Sequence, residues 1–324
     1  MAPLRRLHRL LLAAVLAVLP ACTGPPAPPV ADLTGSLDAL FAAGGSGRYE
    51  QVRAVIVDVA GERRYVHGDP GARGDVGAIA TGVVATLIGI AIDEGRIRDV
   101  DQPLGELLPA SPVLPPGLRA ATLRQALTTP EERPAAPADD GVSDGGALDR
   151  RTGAGAGSDL ASAGPELLPA VLAQATGRPV GEYARDELFG PLAIRTDPAS
   201  GFAWPVGSGD LVISADDMLA LGRLYLGGGR WAGRQVVSSE WVAAATGAQV
   251  PTGFASPGYG YRWWVTEADG HHAFAAVGHG GQLIEVVPDL QLVVVVASDV
   301  GTAAGAPARA YVELVDAVVA PAVG

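Results

Sequence analysis

The sequence predicts an α+β fold. One antiparallel sheet is assembled from both ends of the chain and flanked by helices, while the middle of the chain makes a separate helical lobe. Three observations carry this expectation. Two β-branched runs stand early, Arg53–Val59 (RAVIVDV) and Arg63–Val66, joined through Gly61 as a hairpin. Four more candidate strands stand late, at Tyr261–Thr266, Ala273–Val277, Leu283–Val287 and Leu292–Ser298. Between the two groups the apolar residues recur at helical spacing, and no internal repeat interrupts them.

Taken in order, the chain opens with Arg5, Arg6 and Arg9, followed by an apolar run from Leu10 to Leu19 that is too short to span a bilayer comfortably. Residues 1–21 therefore read as a secretion signal. The run ends in Leu19-Pro20-Ala21-Cys22, which resembles a bacterial lipobox, and Cys22 is the only cysteine. Residues 22–32 read as a proline-rich extended tether behind a lipidated Cys22, with the folded domain starting near Leu33. The expected location is the outer face of the cell membrane, held there through the lipid.

Leu33–Ala43 is a short amphipathic helix. Val83–Ile92 is apolar nearly all round and closes with Asp93-Glu94-Gly95, so it reads as a buried helix with a glycine at its C-terminal end. Thr122–Thr129 is a short helix stopped by Pro130. From Glu131 to Gly157 the composition turns to Gly, Ala, Pro and Asp, and a surface loop is expected. Helices follow at Pro165–Thr176 and Val180–Leu188. Another starts after Ser214, an N-cap with Asp216 and Asp217 in the first turn, and runs to Leu226. A last helix spans roughly Ala306–Val319. An α/β lobe of about 33–80 and 205–324 then frames a helical lobe of about 81–204.

Composition narrows the chemistry. The 324 residues are 48% hydrophobic, enough for a sizeable core, and the formal charge is −12. Removing residues 1–21 takes away three arginines and no acids, which leaves −15. An acidic chain with no basic block beyond its first ten residues is not expected to bind nucleic acid. All 23 basic residues are Arg, and there is neither Lys nor Asn. No lysine amine is available as a base, a Schiff-base partner or a phosphate contact.

The stretches VVATLIGIAIDEGRIRDVDQPL (Val83–Leu104), TLRQALT (Thr122–Thr128), LLPAVLAQATGRPVGEYARDELFGPL (Leu167–Leu192), Asp210–Trp241 and Tyr259–Val296, with GHGGQ at Gly278–Gln282, carry a resemblance. They resemble the serine β-lactamase, DD-peptidase and esterase family, in its class C β-lactamase-related branch. That family places a nucleophilic serine and a lysine base in S-x-x-K at the start of the buried helix. A tyrosine in Y-x-N comes from the helical lobe, and K-T-G or H-x-G from an inner strand. One helical turn between serine and lysine puts both on one face.

Here the resemblance sets Ala78 at the nucleophile and Thr81 at the base. Leu160-Ala161-Ser162 falls on Y-x-N, so Leu160 replaces the tyrosine, and only His279-Gly280-Gly281 survives. No other register can restore S-x-x-K or Y-x-N in a chain without Lys and Asn. The resemblance implies a retained cleft of Ala78, Thr81, Leu160, Ser162, His279, Gly280, Gly281 and Gln282. It further implies oxyanion donors at the Ala78 and Gln282 N–H groups.

The expectation is a cell-surface binding or scaffolding module for a peptide or cell-wall fragment, without acyl transfer, cofactor or metal. The competing expectation is an active serine hydrolase with a rewired nucleophile such as Ser158 or Thr81. No G-x-S-x-G elbow supports it. His271, His272 and His279 suggest a metal site only weakly. Neighbouring strand residues face opposite ways, and Asp269-Gly270-His271-His272 reads as a solvated hairpin turn.

Overall fold

The early valine-rich run becomes strand β1, and everything that positions the site is built on its partners. The computed structural model describes residues 33–41, 51–130, 156–196, 211–252, 258–278, 281–299 and 308–324. In chain order these form α1 (Leu33–Phe41), β1 (Val52–Val59), β2 (Glu62–Gly68), β3 (Arg73–Asp75), α2 (Ile79–Asp93), α3 (Leu104–Leu107) and α4 (Leu123–Thr128). Next come α5 (Ala156–Thr176), α6 (Val180–Ala184), β4 (Val212–Ser214), α7 (Ala215–Leu226), β5 (Arg230–Trp231), β6 (Arg234–Gln235) and α8 (Ser239–Thr246). The chain closes with β7 (Gly258–Tyr259), β8 (Trp264–Ala268), β9 (His271–Gly278), β10 (Gln282–Val287), β11 (Leu292–Ser298), α9 (Ala308–Leu314) and α10 (Ala320–Val323).

Among the described residues, seven strands form one antiparallel sheet in the order β2-β1-β11-β10-β9-β8-β7. This is the α+β arrangement expected, with the two early strands at one edge of the sheet joined through the β1–β11 pairing to the five late strands. Every residue of β10 and β11 is buried, because helices cover both faces of the sheet there. On one face Leu33, Leu37, Val294, Tyr311 and Val315 form a core beneath α1 and the C-terminal helices. On the other face Ile284 and Val295 join Val84, Ile88 and Met218 in a larger core. It runs on into α4, α5 and α6.

Local rules account for most element ends. Ala60 and Gly61 both have positive φ, as the tight turn between β1 and β2 requires. Ser214 accepts from the Asp217 N–H, and Asp217 accepts in return from the Ser214 N–H, closing a capping box at the start of α7. Gly95 sits at φ +71° just past α2, where a glycine avoids the Cβ penalty.

Several expectations are corrected. Helix α2 begins at Ile79 rather than Val83. Helix α5 begins at Ala156 rather than Pro165, with Pro165 and Pro169 inside it. Burial of Leu160 in the common core rewards the added turns and outweighs the lost amide bonds. The backbone at Ser158 therefore lies in a helix and not in a loop. The expected Val180–Leu188 helix is α-helical only to Ala184 and widens into a π turn over Arg185–Phe189. The predicted strand at Tyr261 starts only at Trp264, because Arg262 has φ +65°. His271 and His272 belong to β9, and the turn before them is Asp269-Gly270 alone, both at positive φ. The C-terminal helix is α9, then a π turn at Val315–Val319, then α10.

Candidate active site

The site is organised by the first turn of α2. Val76 N–H donates to the Leu211 carbonyl at 3.1 Å, tying the segment before the helix to the chain ahead of β4. Asp75 Oδ1 accepts from Gly77 N–H at 2.8 Å. Ile79 and Ala80 donate to Val76 O and Gly77 O at 3.3 and 3.0 Å, tightening the entry into a 3₁₀-like turn. Ala78 caps the helix with helical φ and ψ and no side-chain cap. Its own N–H has no acceptor among the described residues. The positive end of a fifteen-residue helix thus keeps one donor in reserve.

One turn on, Thr81 is 7% exposed, and its Oγ1 donates to the Ala78 carbonyl at 2.8 Å. The pair implied by the resemblance is brought together here, one turn apart, as a methyl and a hydroxyl bonded to backbone. Leu160, on α5, is buried in the same core as Ile79, Ala80 and Val83. Ser162, two residues along α5, is exposed, so the two side chains of that triplet point to different surroundings.

The end of β9 lies against this turn. A Cβ at Gly278 would meet the Val76 carbonyl oxygen at 2.6 Å, so only glycine allows the strand to approach so closely. Gly278 pairs with Gln282 where β9 and β10 meet. His279 and Gly280 lie outside the described residues, as do Cys22 and residues 23–32. Gly281 has φ +91° and rests on the Tyr311 ring. Its carbonyl accepts from Ser298 Oγ at 3.2 Å, and the wholly buried Gln282 amide bonds both Ser298 N–H and Ser298 O. The amide fixes the start of β10 to the end of β11.

Two features escaped sequence reasoning. Arg262, 3% exposed, takes a left-handed backbone and donates from Nη2 to the Ala126 carbonyl at 2.9 Å. Its guanidinium lies where a Cβ at Gly164 would stand, and its carbonyl lies near Gly82. One arginine from the sheet side thus touches α4, α5 and α2 together. The only hint was an arginine set among aromatics in GYGYRWW. The other is Glu285, wholly buried in β10.

Trp263 is core, 4.4 Å from Tyr225 between ring centroids, and Trp264 meets Tyr259 edge to face. Behind the site, Tyr225 hydrogen-bonds Thr86 of α2 at 2.8 Å. Tyr261 accepts from Arg124 at 2.6 Å, and burial pushes its hydroxyl pKa up. His271 Nδ1 is 3.6 Å from the exposed Asp289. Among the described residues no three His, Cys, Asp or Glu side chains are placed to hold a metal ion, and no helix is long and apolar enough to cross a membrane.

Comparison with known proteins agrees with this geometry. No curated protein matches the chain in sequence. Among solved structures it is similar to a class C beta-lactamase from Rhodobacter sphaeroides, at 17% identity and TM-score 0.61, over 91% of this chain and 100% of that one. It is also similar to a penicillin-binding protein homologue from Caulobacter crescentus, at 18% identity and TM-score 0.62, over 89% and 96%. A third neighbour is EstCE1, a hydrolase with promiscuous acyltransferase activity, at 17% identity and TM-score 0.65, over 88% and 97%. At such identities the neighbours share the fold. The family model for beta-lactamase matches residues 50–317, most of the chain and every element around the α2 turn, and the protein belongs to the beta-lactamase family.

Proposed function

We propose that this chain is an exported, lipid-anchored member of its family that binds a peptide or cell-wall fragment in its cleft instead of cleaving it. The observation that carries the reading is the α2 turn. A methyl stands at residue 78, and the one hydroxyl a turn away, on Thr81, spends its proton on the Ala78 carbonyl. A methyl cannot form an acyl-enzyme, and a neutral hydroxyl is a poor base at neutral pH. The Ala78 N–H, without an acceptor among the described residues, still offers a donor to a carbonyl or carboxylate at a helix N-terminus. Acyl transfer is thereby separated from recognition. The membrane contact in this reading runs through a lipid on Cys22.

The test is intact mass after incubation of residues 23–324 with a penicillin and with a fluorophosphonate, beside nitrocefin and ester hydrolysis. No adduct and no turnover is the expected result. A single adduct mapped to Ser158, Thr81 or another hydroxyl overturns the reading in favour of a rewired serine hydrolase. For the full chain expressed in a bacterium, incorporation of labelled palmitate that is lost in Cys22→Ala is expected. Equal labelling of both, or of neither, overturns the anchor.

A further inference from the structure

We infer that Glu285 is the pin of a pH-sensitive latch that holds the C-terminal helices on the sheet. Glu285 lies in the middle of β10, paired with Ala275 of β9 and Val294 of β11, and is fully buried. Thr266 Oγ1, on β8, donates to Glu285 Oε1 at 2.9 Å. The bond reaches across β9, where only the methyls of Ala273 and Ala275 intervene on that face. Glu285 Oε2 has no hydrogen-bond partner among the described residues.

The face is roofed by Tyr311, Leu314, Val315 and Val319 of the C-terminal segment. That segment contributes Asp316, whose charge acts on Glu285 and whose carboxylate accepts the Asp269 N–H at 2.8 Å, while Glu313 is exposed. From α1 comes Asp38, already bonded to the Tyr65 hydroxyl. His271 stands at the far end of β9 beside Asp289. The β1 and β11 residues on this face, Val55, Val57, Val294 and Val296, are apolar. No arginine of the described residues bonds the carboxyl.

A carboxyl so placed is well tolerated neutral and badly tolerated charged. Burial first, with Asp316 adding, raises the Glu285 pKa from 4.5 to about 8, and the Thr266 bond opposes the rise. A raised folded pKa contributes stability that is complete below 4.5 and is lost as pH climbs through about 8. On ionisation, water must reach Oε2. The roof, two short helices joined by a π turn, is the cover that can lift, whereas β9 and β11 are held by full ladders.

The experiment compares the wild-type protein with Glu285→Gln between pH 4 and 9.5, reading the thermal midpoint and the amide-exchange protection of 308–323, corrected for the intrinsic rate. In the wild type the midpoint should fall between pH 4.5 and 8 and then level. Opening of 308–323 should rise by up to tenfold per pH unit in that window, ahead of the rest of the sheet. Glu285→Gln should lose both responses. Thr266→Val, which keeps the carboxyl and removes the bond favouring its charged form, should move the window to higher pH. Parallel pH profiles for wild type and Glu285→Gln overturn the latch. So does loss of protection spread evenly over the sheet, or a Thr266→Val window that stays put or moves down.

Discussion

Arg223→Ala removes the cation that, among the described residues, is bonded to the fully buried carboxylate of Asp58. Asp58 lies on β1 beneath α7 and is 0% exposed, and Arg223 reaches down from α7 to hold both of its oxygens. Nε donates to Oδ1 at 3.0 Å, Nη2 donates to Oδ2, and Nη2 also donates to the Gly61 carbonyl at 2.7 Å in the β1–β2 turn. Removing one partner of a buried ion pair costs about 3–5 kcal/mol, since the remaining charge stays desolvated. The Arg223 side chain is 30% exposed, so water can follow it in, and the loss belongs near the lower end of that range, about 3 kcal/mol. A loss of this size is a large share of a domain's whole stability.

Denaturant unfolding at pH 7 measures it through the midpoint at constant m-value. The companion variant Asp58→Asn/Arg223→Ala should recover part of the loss, because a neutral amide is cheaper to bury than a lone carboxylate. A loss below about 1 kcal/mol, the range of exposed pairs, would refute the reasoning. So would a double variant no more stable than the single one, since the cost would not then come from the stranded charge.

Three further outcomes follow from contacts already described. Gly222→Ala should destabilise although alanine favours helix by about 1 kcal/mol. A Cβ there meets Val293 Cγ1 at 2.5 Å and Ile284 Cγ2 at 3.0 Å, and overpacking of about 1–3 kcal/mol exceeds the gain; a raised thermal midpoint would contradict this. Gln282→Ala strands the Ser298 N–H and C=O in a buried site, at about 1–3 kcal/mol, and should loosen exchange at Gly281 and Ser298 before it does so at α7. For Arg262, Gly should be better tolerated than Ala by about 1 kcal/mol, because both lose the bond to Ala126 while only alanine keeps the left-handed strain. Equal midpoints for the two would show that the φ of +65° carries no cost.

The sheet was legible in the sequence because its central strands are valine-rich runs buried on both faces, a pattern that local reading detects without knowing the partners. The body of α2 was legible for a different reason, since its apolar run and Gly95 belong to one helix. Its first turn, Ala78 to Thr81, was located only through the resemblance and lies ahead of the Val83 start that the apolar pattern suggests. What local reading missed depends on what lies across the fold. Pro165 reads as a helix start by its missing N–H, and only the burial of Leu160 against α2 extends α5 past it.

Glu285 makes the same point more sharply. In QLIEVV a glutamate at alternating spacing reads as a solvent-facing strand residue, and on a half-exposed sheet it would be one. It is buried because α9 and the π turn, contributed by residues after Ala308, cover that face. Its bond comes from Thr266, nineteen residues back and two strands away. Arg262 is likewise explained by Ala126 and Gly164, each about a hundred residues distant or more. Polar burial is fixed by long-range partners, and a single chain read in order shows the charge but not its cover. The residues that determine what this protein tolerates at its site and under its C-terminal helices are therefore those whose local rule was broken, and breaking the contact that compensates each one is the most direct way to learn what it does.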